Sequence, residues 1–267
     1  MTFTIPPNPA TSTDDRSSTL RGWTTDRAKE RGSEKRRTVL DWVYRWGYAS
    51  ASTIVEASGA ADRGYPQRLV KQGLIRPVPT TRCPTTKKIF VLTVDGLDIA
   101  RSSSILWLEY PELDSRRINQ ANVTHNLTTQ EQILRQLPNF SGWKSDREFG
   151  QNIEDNKRPD GALIDGTGRA YGLEIELSGK WSRRLDQMSI RIIAGIAKQR
   201  FAGFQVLCAT EAMAQRYKVV FAPGFQIPRW EPGASGSGKF FTRGHWEPIP
   251  KAISEAIWVE ALPGMKR

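Results

Sequence analysis

The chain has 267 residues, of which 38% are hydrophobic and 25% charged, so it is long enough for two modest globular domains. No apolar run approaches the ~20 residues of a membrane helix, and the N-terminal stretch lacks the apolar segment of a signal peptide. Cys83 and Cys208 have no partners at metal-ligand spacing, which favours two thiols in a reducing cytosol over a disulfide. We therefore expect a cytoplasmic protein without a membrane partner.

Positive charge is concentrated in one part of the chain. The net charge is +11, and residues 36–103 carry eleven basic against five acidic side chains. Residues 104–267 carry 22 basic and 18 acidic side chains. Such a concentration of basic residues is typical of proteins that bind a polyanion. The alternative is a basic surface that only contacts solvent.

Residues 1–35 are rich in Ser, Thr, Pro and mixed charge, and we expect a flexible arm there. A solvated tail is favoured over a segment that contacts nucleic acid.

Residues 36–103 show a succession of short elements. Apolar residues at helical spacing predict a first helix from Arg36 to Gly47, and Ser52 predicts the cap of a second helix over 53–57. A third, basic helix carries Arg63, Arg68 and Lys71. Two strand-like runs, 74–78 and 88–92, flank a polar tip, and Thr93 predicts the cap of a helix over 94–101.

This order is that of a winged helix-turn-helix domain, and the strings RLVKQGLI and FVLTVDGLDIAR resemble bacterial winged-helix proteins. The resemblance implies that the third helix offers cations to the major groove of double-stranded DNA and that the wing reaches phosphate or the minor groove. The expected DNA-binding residues are Arg63, Arg68, Lys71, Arg82, Lys87 and Lys88. Some winged helices only dock proteins, but the local charge favours DNA.

A connector over 104–120 precedes a second predicted domain over 121–222. The expected elements are a helix to Leu137, strands over 143–149, 159–164 and 170–177, a helix over 181–200, a strand over 203–209, a helix over 211–217 and a strand over 219–222. This is an α/β sandwich. Residues 223–267 are expected to form an irregular tail packed on it, with a flexible loop over 231–238.

Three carboxylates fall near one predicted hairpin. If Gly166-Thr167-Gly168 is a three-residue loop, Asp160 lies opposite Glu174 and shares a face with it and with Glu176. A two-residue loop would turn Asp160 to the other face.

Acids on strands that are otherwise apolar favour a present or ancestral Mg²⁺ or Mn²⁺ site. The alternative is that they are solvated or paired with Lys157, Arg158 or Lys180.

The string Pro159-Asp160 followed by Glu174 resembles the PD-(D/E)xK nuclease superfamily, whose core is an α-β-β-β-α-β sandwich. Glu176 stands where that family has lysine, and Lys180 is the residue that could reach back. More narrowly, the winged helix with RPDG and EIELSGK resembles replication-relaxation-type proteins of mobile elements. The resemblance implies Asp160, Glu174, Glu176 and Lys180 as catalytic residues.

Two helices add candidates. The resemblance implies Glu131, on an expected apolar stripe, as a further metal ligand, and the alternative is a capping box with Thr128. His125 is expected to be a structural hydrogen-bonding residue. In the helix over 181–200, Trp181 is expected in the core, while Arg184, Arg191 and Lys198 form a cationic stripe that is either solvated or follows a nucleic-acid backbone.

Two functions remain open from the sequence. One is a metal-dependent DNA endonuclease or nickase of a plasmid, phage or integrative element. The other is a non-catalytic DNA-binding accessory factor or regulator in replication, mobilisation or transcription, which the missing lysine favours. A homodimer and a relaxase, replicase or recombinase partner are compatible with both.

Overall fold

The computed structural model describes residues 25–150, 158–232 and 240–263. The first 24 residues of the predicted arm, Lys157 and most of the predicted loop over 231–238 lie outside these ranges. The described chain is a mixed α/β structure with a helical N-terminal part and a mixed five-stranded sheet.

The helices are α1 (Thr25–Trp46), α2 (Ala51–Ser58), α3 (Tyr65–Lys71), α4 (Val94–Ser103), α5 (Val123–Gln136), α6 (Arg183–Ala197), α7 (Glu211–Val220) and α8 (Lys251–Ser254). The strands are β1 (Ile75–Pro79), β2 (Lys88–Leu92), β3 (Gly142–Ser145), β4 (Gly161–Ile164), β5 (Ala170–Glu176), β6 (Gly203–Cys208), β7 (Gln226–Pro232), β8 (Phe240–Pro248) and β9 (Ile257–Ala261). Within the described ranges, no helix has both the length and the apolar character needed to cross a bilayer.

Helix α1 begins at Thr25, not at Arg36 as the sequence predicted. The expectation of a flexible arm was therefore wrong for residues 25–35, because this polar stretch is rich in good helix formers such as Ala, Lys, Arg and Glu. Ser50 rather than Ser52 caps α2, since its side chain accepts from Thr53 N at 3.1 Å. Thr93 caps α4 as predicted.

Strands β1 and β2 form the predicted hairpin, in which Ile75 pairs with Leu92. Both strands lie within one residue of the predicted limits.

The five-stranded sheet has the order β3-β4-β5-β6-β9. The β3-β4 and β4-β5 pairs are antiparallel, whereas β5-β6 and β6-β9 are parallel. The strand expected over 219–222 is wrong, because Val219 and Val220 are the last turn of α7. The edge strand is instead β9, in which Ile257 and Val259 are buried.

The tail was therefore wrongly expected to be irregular. Residues 226–232 and 240–248 form the antiparallel β7-β8 pair, and β9 joins the central sheet. Ile227, Ile249, Ile257 and Val259 belong to the core on the α6 side of the sheet.

The N-terminal helices and the sheet share one hydrophobic cluster. The rings of Trp42 and Trp46 in α1 lie 4.3 and 5.8 Å from that of Trp143 in β3. Gln130 of α5 accepts from Trp42 Nε1 at 2.9 Å and donates to Tyr48 O at 3.0 Å. Tyr110, in the predicted connector, donates its hydroxyl to Gly47 O at 2.6 Å. Buried residues on both sides of residue 103 therefore belong to one hydrophobic core.

Candidate functional site

The β4-β5 turn has the three-residue loop that places the acids together. Gly168 has φ +84°, and its N–H donates to Asp165 O at 3.0 Å. Asp165 N donates to Arg169 O at 3.0 Å, and Asp160 N donates to Leu173 O at 2.9 Å, which extends the same register beyond Gly161 and Leu173. Asp160 therefore lies opposite Glu174, as predicted.

Glu174 and Glu176 are buried in the middle of the sheet, with 3% and 2% of their surface exposed. The Lys180 ammonium contacts Glu176 Oε1 directly and lies 3.7 Å from Glu174 Oε1. The Tyr217 hydroxyl of α7 donates to Glu176 Oε2 at 3.1 Å. Lys180 thus supplies the positive charge that two adjacent buried carboxylates need.

Asp160 faces a different set of partners at the end of β4. Its Oδ2 accepts from Ile175 N at 2.7 Å and lies 3.2 Å from His125 Nε2. The same imidazole nitrogen lies 2.9 Å from Ile175 O. Burial opposes the charged imidazole, but the hydrogen bond and negative charge of Asp160 outweigh it and raise the pKa of His125. His125 is the hydrogen-bonding residue that was expected, and its pairing with Asp160 had no signal in the sequence.

This arrangement does not fit a resident divalent cation. Across the described ranges, no three His, Cys, Asp or Glu side chains are grouped as metal ligands would be. The ammonium of Lys180 lies against both glutamates, and the inner oxygen of Asp160 is engaged by an amide and an imidazole. The four predicted catalytic residues are neighbours, but their carboxylates do not converge on a common point for an ion.

Glu131 lies away from this cluster. Its side chain is 57% exposed and pairs with Arg135 at 3.2 Å. Helical geometry puts Glu131 about 80° from Val123, at the margin of the buried stripe. The capping box was also wrong, because α5 begins at Val123 and Thr128 is internal, donating to Thr124 O at 2.9 Å.

The six predicted cations of the N-terminal part are all exposed. Buried Tyr65 and Leu69 turn the opposite face of α3, with Arg68 and Lys71, toward solvent. Arg68 also pairs with Asp62 in the preceding turn.

A cleft lies beside α6. Its lining includes Arg191, Lys198, Arg158 and Arg200, and Glu174 forms part of its wall. Arg184 is exposed and does not line this cleft, so the predicted cationic stripe is only partly continuous with it.

Trp181 was wrongly expected in the core. Helix α6 begins at Arg183, so Trp181 precedes it and does not follow the helical periodicity of Leu185, Met188 and Ile192. Its ring is 71% exposed.

No model of a known protein family matches the chain, and no curated protein matches it with significance.

Proposed function

We propose that this chain is a non-catalytic DNA-binding accessory factor or regulator of a mobile element. In this proposal, residues 36–103 are a winged helix-turn-helix that binds double-stranded DNA, and the sheet domain is a degenerate PD-(D/E)xK-type sandwich. The observation that carries it is the exposed set of six cations on and beside α3 and at the β1-β2 tip.

The order of elements supports the winged helix. α1, α2 and α3 are followed by the β1-β2 hairpin and α4. A short helix with outward cations suits the major groove, and Arg82, Lys87 and Lys88 at the hairpin suit phosphates. Phosphate neutralisation of this kind supplies sequence-independent affinity.

The order α5-β3-β4-β5-α6-β6 supports the sandwich resemblance. Lys180 supports the interpretation that this domain is degenerate, because its ammonium pairs with Glu174 and Glu176 and competes with a metal ion for the two carboxylates.

A metal-dependent DNA endonuclease is the second candidate. The observation that favours it is the register that sets Asp160 opposite Glu174. Mg²⁺ or Mn²⁺ would be its cofactor.

Duplex binding tests the proposal. We expect the double variant Arg68→Ala, Lys71→Ala to bind a DNA duplex at least about 10-fold more weakly, with the slope of log affinity against log salt reduced by about 2. The control variant Lys218→Ala, Lys251→Ala removes two exposed cations outside the predicted interface and should bind like wild type. Equal losses in both variants, or none in either, would refute the winged helix as the DNA reader.

A cleavage assay separates the two candidates. Wild type and Asp160→Ala are incubated with supercoiled, linear and single-stranded DNA in Mg²⁺ and in Mn²⁺. We expect no metal-dependent cleavage by either protein. Cleavage by wild type that disappears in Asp160→Ala would establish the endonuclease instead.

A further inference from the structure

Trp181 lies on the surface beside the carboxylate and lysine cluster. It directly follows Lys180, and its ring is 71% exposed. A large aromatic ring usually contributes its area to a core or an interface, so an exposed tryptophan is a candidate contact residue where its surroundings also favour a ligand.

Arg216 of α7 holds this ring in place. Its guanidinium carbon lies 3.8 Å from the centroid of the Trp181 ring, and its Nη2 donates to Lys180 O at 2.5 Å. The guanidinium therefore covers one face of the indole and ties the preceding backbone to α7. Because 71% of the residue is exposed, we infer that the opposite face is open to a ligand.

The backbone after Trp181 is strained. Ser182 has φ +46° and ψ −127°, a conformation that favours glycine. Lys180 N donates to the Tyr217 hydroxyl at 3.1 Å, so the segment is held from both sides of Trp181. A non-glycine residue kept in such a conformation fixes the direction in which the neighbouring ring projects.

Basic residues adjoin Trp181 along the chain. Lys180 precedes it, Arg183 and Arg184 follow it, and Arg216 stacks on its ring, while the ammonium of Lys180 is directed to Glu174 and Glu176. An aromatic ring within a basic surface combines stacking with phosphate attraction, which is how proteins hold single-stranded nucleic acid.

We propose that the open face of Trp181 is a stacking platform for an unpaired nucleobase of single-stranded DNA. The inference rests on the proposed DNA-binding function and extends it to a second, single-stranded ligand, bound on the sheet domain while the winged helix binds duplex. Arg216 is the positioning residue of this platform, because it orients the ring and leaves a single face for the base.

A second exposed tryptophan offers a matched comparison. Trp107 is 78% exposed, and the guanidinium carbon of Arg101 lies 4.6 Å from its ring centroid. Its flanking residues are Leu106 and Leu108, followed by Glu109, so no cation adjoins it along the chain. Trp107 thus has the same residue pair without the basic surroundings, and we expect it to contribute nothing to DNA binding.

The test measures the affinity of the full chain, without divalent metal, for a labelled oligothymidylate and for a duplex of equal length. We expect Trp181→Ala to bind the single strand about 5- to 150-fold more weakly. Trp181→Phe should retain most of the affinity, since phenylalanine also stacks. Trp107→Ala should leave single-strand affinity unchanged, and no variant should alter duplex affinity.

The possible results test the stacking platform and the proposed DNA-binding function separately. Wild type that binds duplex but not oligothymidylate refutes the platform alone. Wild type that binds neither refutes the proposed function and the platform together. Unchanged single-strand affinity in Trp181→Ala, or an equal loss in Trp107→Ala, refutes the platform. A loss that coincides with dissociation of an oligomer in size-exclusion chromatography assigns Trp181 to a protein interface and also overturns it.

Discussion

At the scale of the residue, Lys180 controls what the carboxylates can do. Two carboxylates buried on one strand repel each other, and burial increases that cost because little water remains to screen them. The ammonium contacts Glu176 and lies near Glu174, while Tyr217 donates to the remaining side of Glu176. Removing this ammonium therefore takes away positive charge that offsets part of the charge of the two carboxylates.

We expect Lys180→Met to lower the free energy of unfolding by about 3–5 kcal/mol at neutral pH, because it removes the ammonium that contacts buried Glu176 and lies 3.7 Å from buried Glu174. Urea denaturation measures this free energy of unfolding. The triple variant with Glu174→Gln and Glu176→Gln should recover most of the loss. Lys251→Met, which breaks an exposed pair with Glu255, should change stability by less than about 0.5 kcal/mol. A similarly small effect of Lys180→Met would contradict the neutralising role.

At the scale of the element, local patterns predicted most of the structure. The Asp-Gly-Thr-Gly turn reduced the register of β4 and β5 to two alternatives, and the structure has the three-residue loop, in which Gly168 is left-handed. Strand β9 was missed, because its parallel pairing with β6 depends on a distant segment and leaves no local signature. Lys180 was expected from the sequence as a residue that could pair with the acids or reach back to them, and its ammonium contacts Glu176 and lies 3.7 Å from Glu174.

Helix α4 contains a glycine whose role depends on packing between elements. A Cβ at Gly96 would lie 1.9 Å from Leu74 O, a backbone atom that cannot rotate away. Gly32 in α1 has open space around it. The same substitution in two helices should therefore act in opposite directions.

We expect Gly96→Ala to lower the free energy of unfolding by about 1–3 kcal/mol, the usual cost of overpacking. Gly32→Ala should raise it by about 0.5–1 kcal/mol, because alanine is the better helix former. Thermal denaturation of both variants measures the two effects. Stabilisation by both substitutions would mean that α4 does not pack on Leu74 as the structure shows.

At the scale of the whole molecule, the N-terminal helices and the sheet are joined by polar contacts as well as by the shared core. Arg45 of α1 donates to both carboxylate oxygens of Glu148, at 2.8 and 3.0 Å, and its guanidinium lies 3.6 Å from the centroid of the Trp143 ring. Ser145 donates its hydroxyl to Arg45 O at 2.7 Å.

The sequence shows that Trp42 and Trp46 form an apolar stripe, but a stripe does not identify the surface that covers it. This is why two independent domains were expected. The shared core instead implies that the N-terminal helices and the sheet form one folded unit.

We expect the whole chain to unfold in a single cooperative transition. We expect Arg45→Met to lower the free energy of unfolding by about 3–5 kcal/mol, because the side chain of Glu148, which is 3% exposed, then loses its cation. Tryptophan fluorescence, to which Trp42, Trp46 and Trp143 contribute among the nine tryptophans of the chain, and far-ultraviolet circular dichroism should give the same midpoint in urea. Adding Glu148→Gln should restore most of the stability, because the amide oxygen still accepts from Ser145 N. Arg135→Met, which breaks the exposed pair with Glu131, should have little effect. Two separated transitions, or an Arg45→Met variant in which only one probe shifts, would show that the N-terminal helices and the sheet unfold independently.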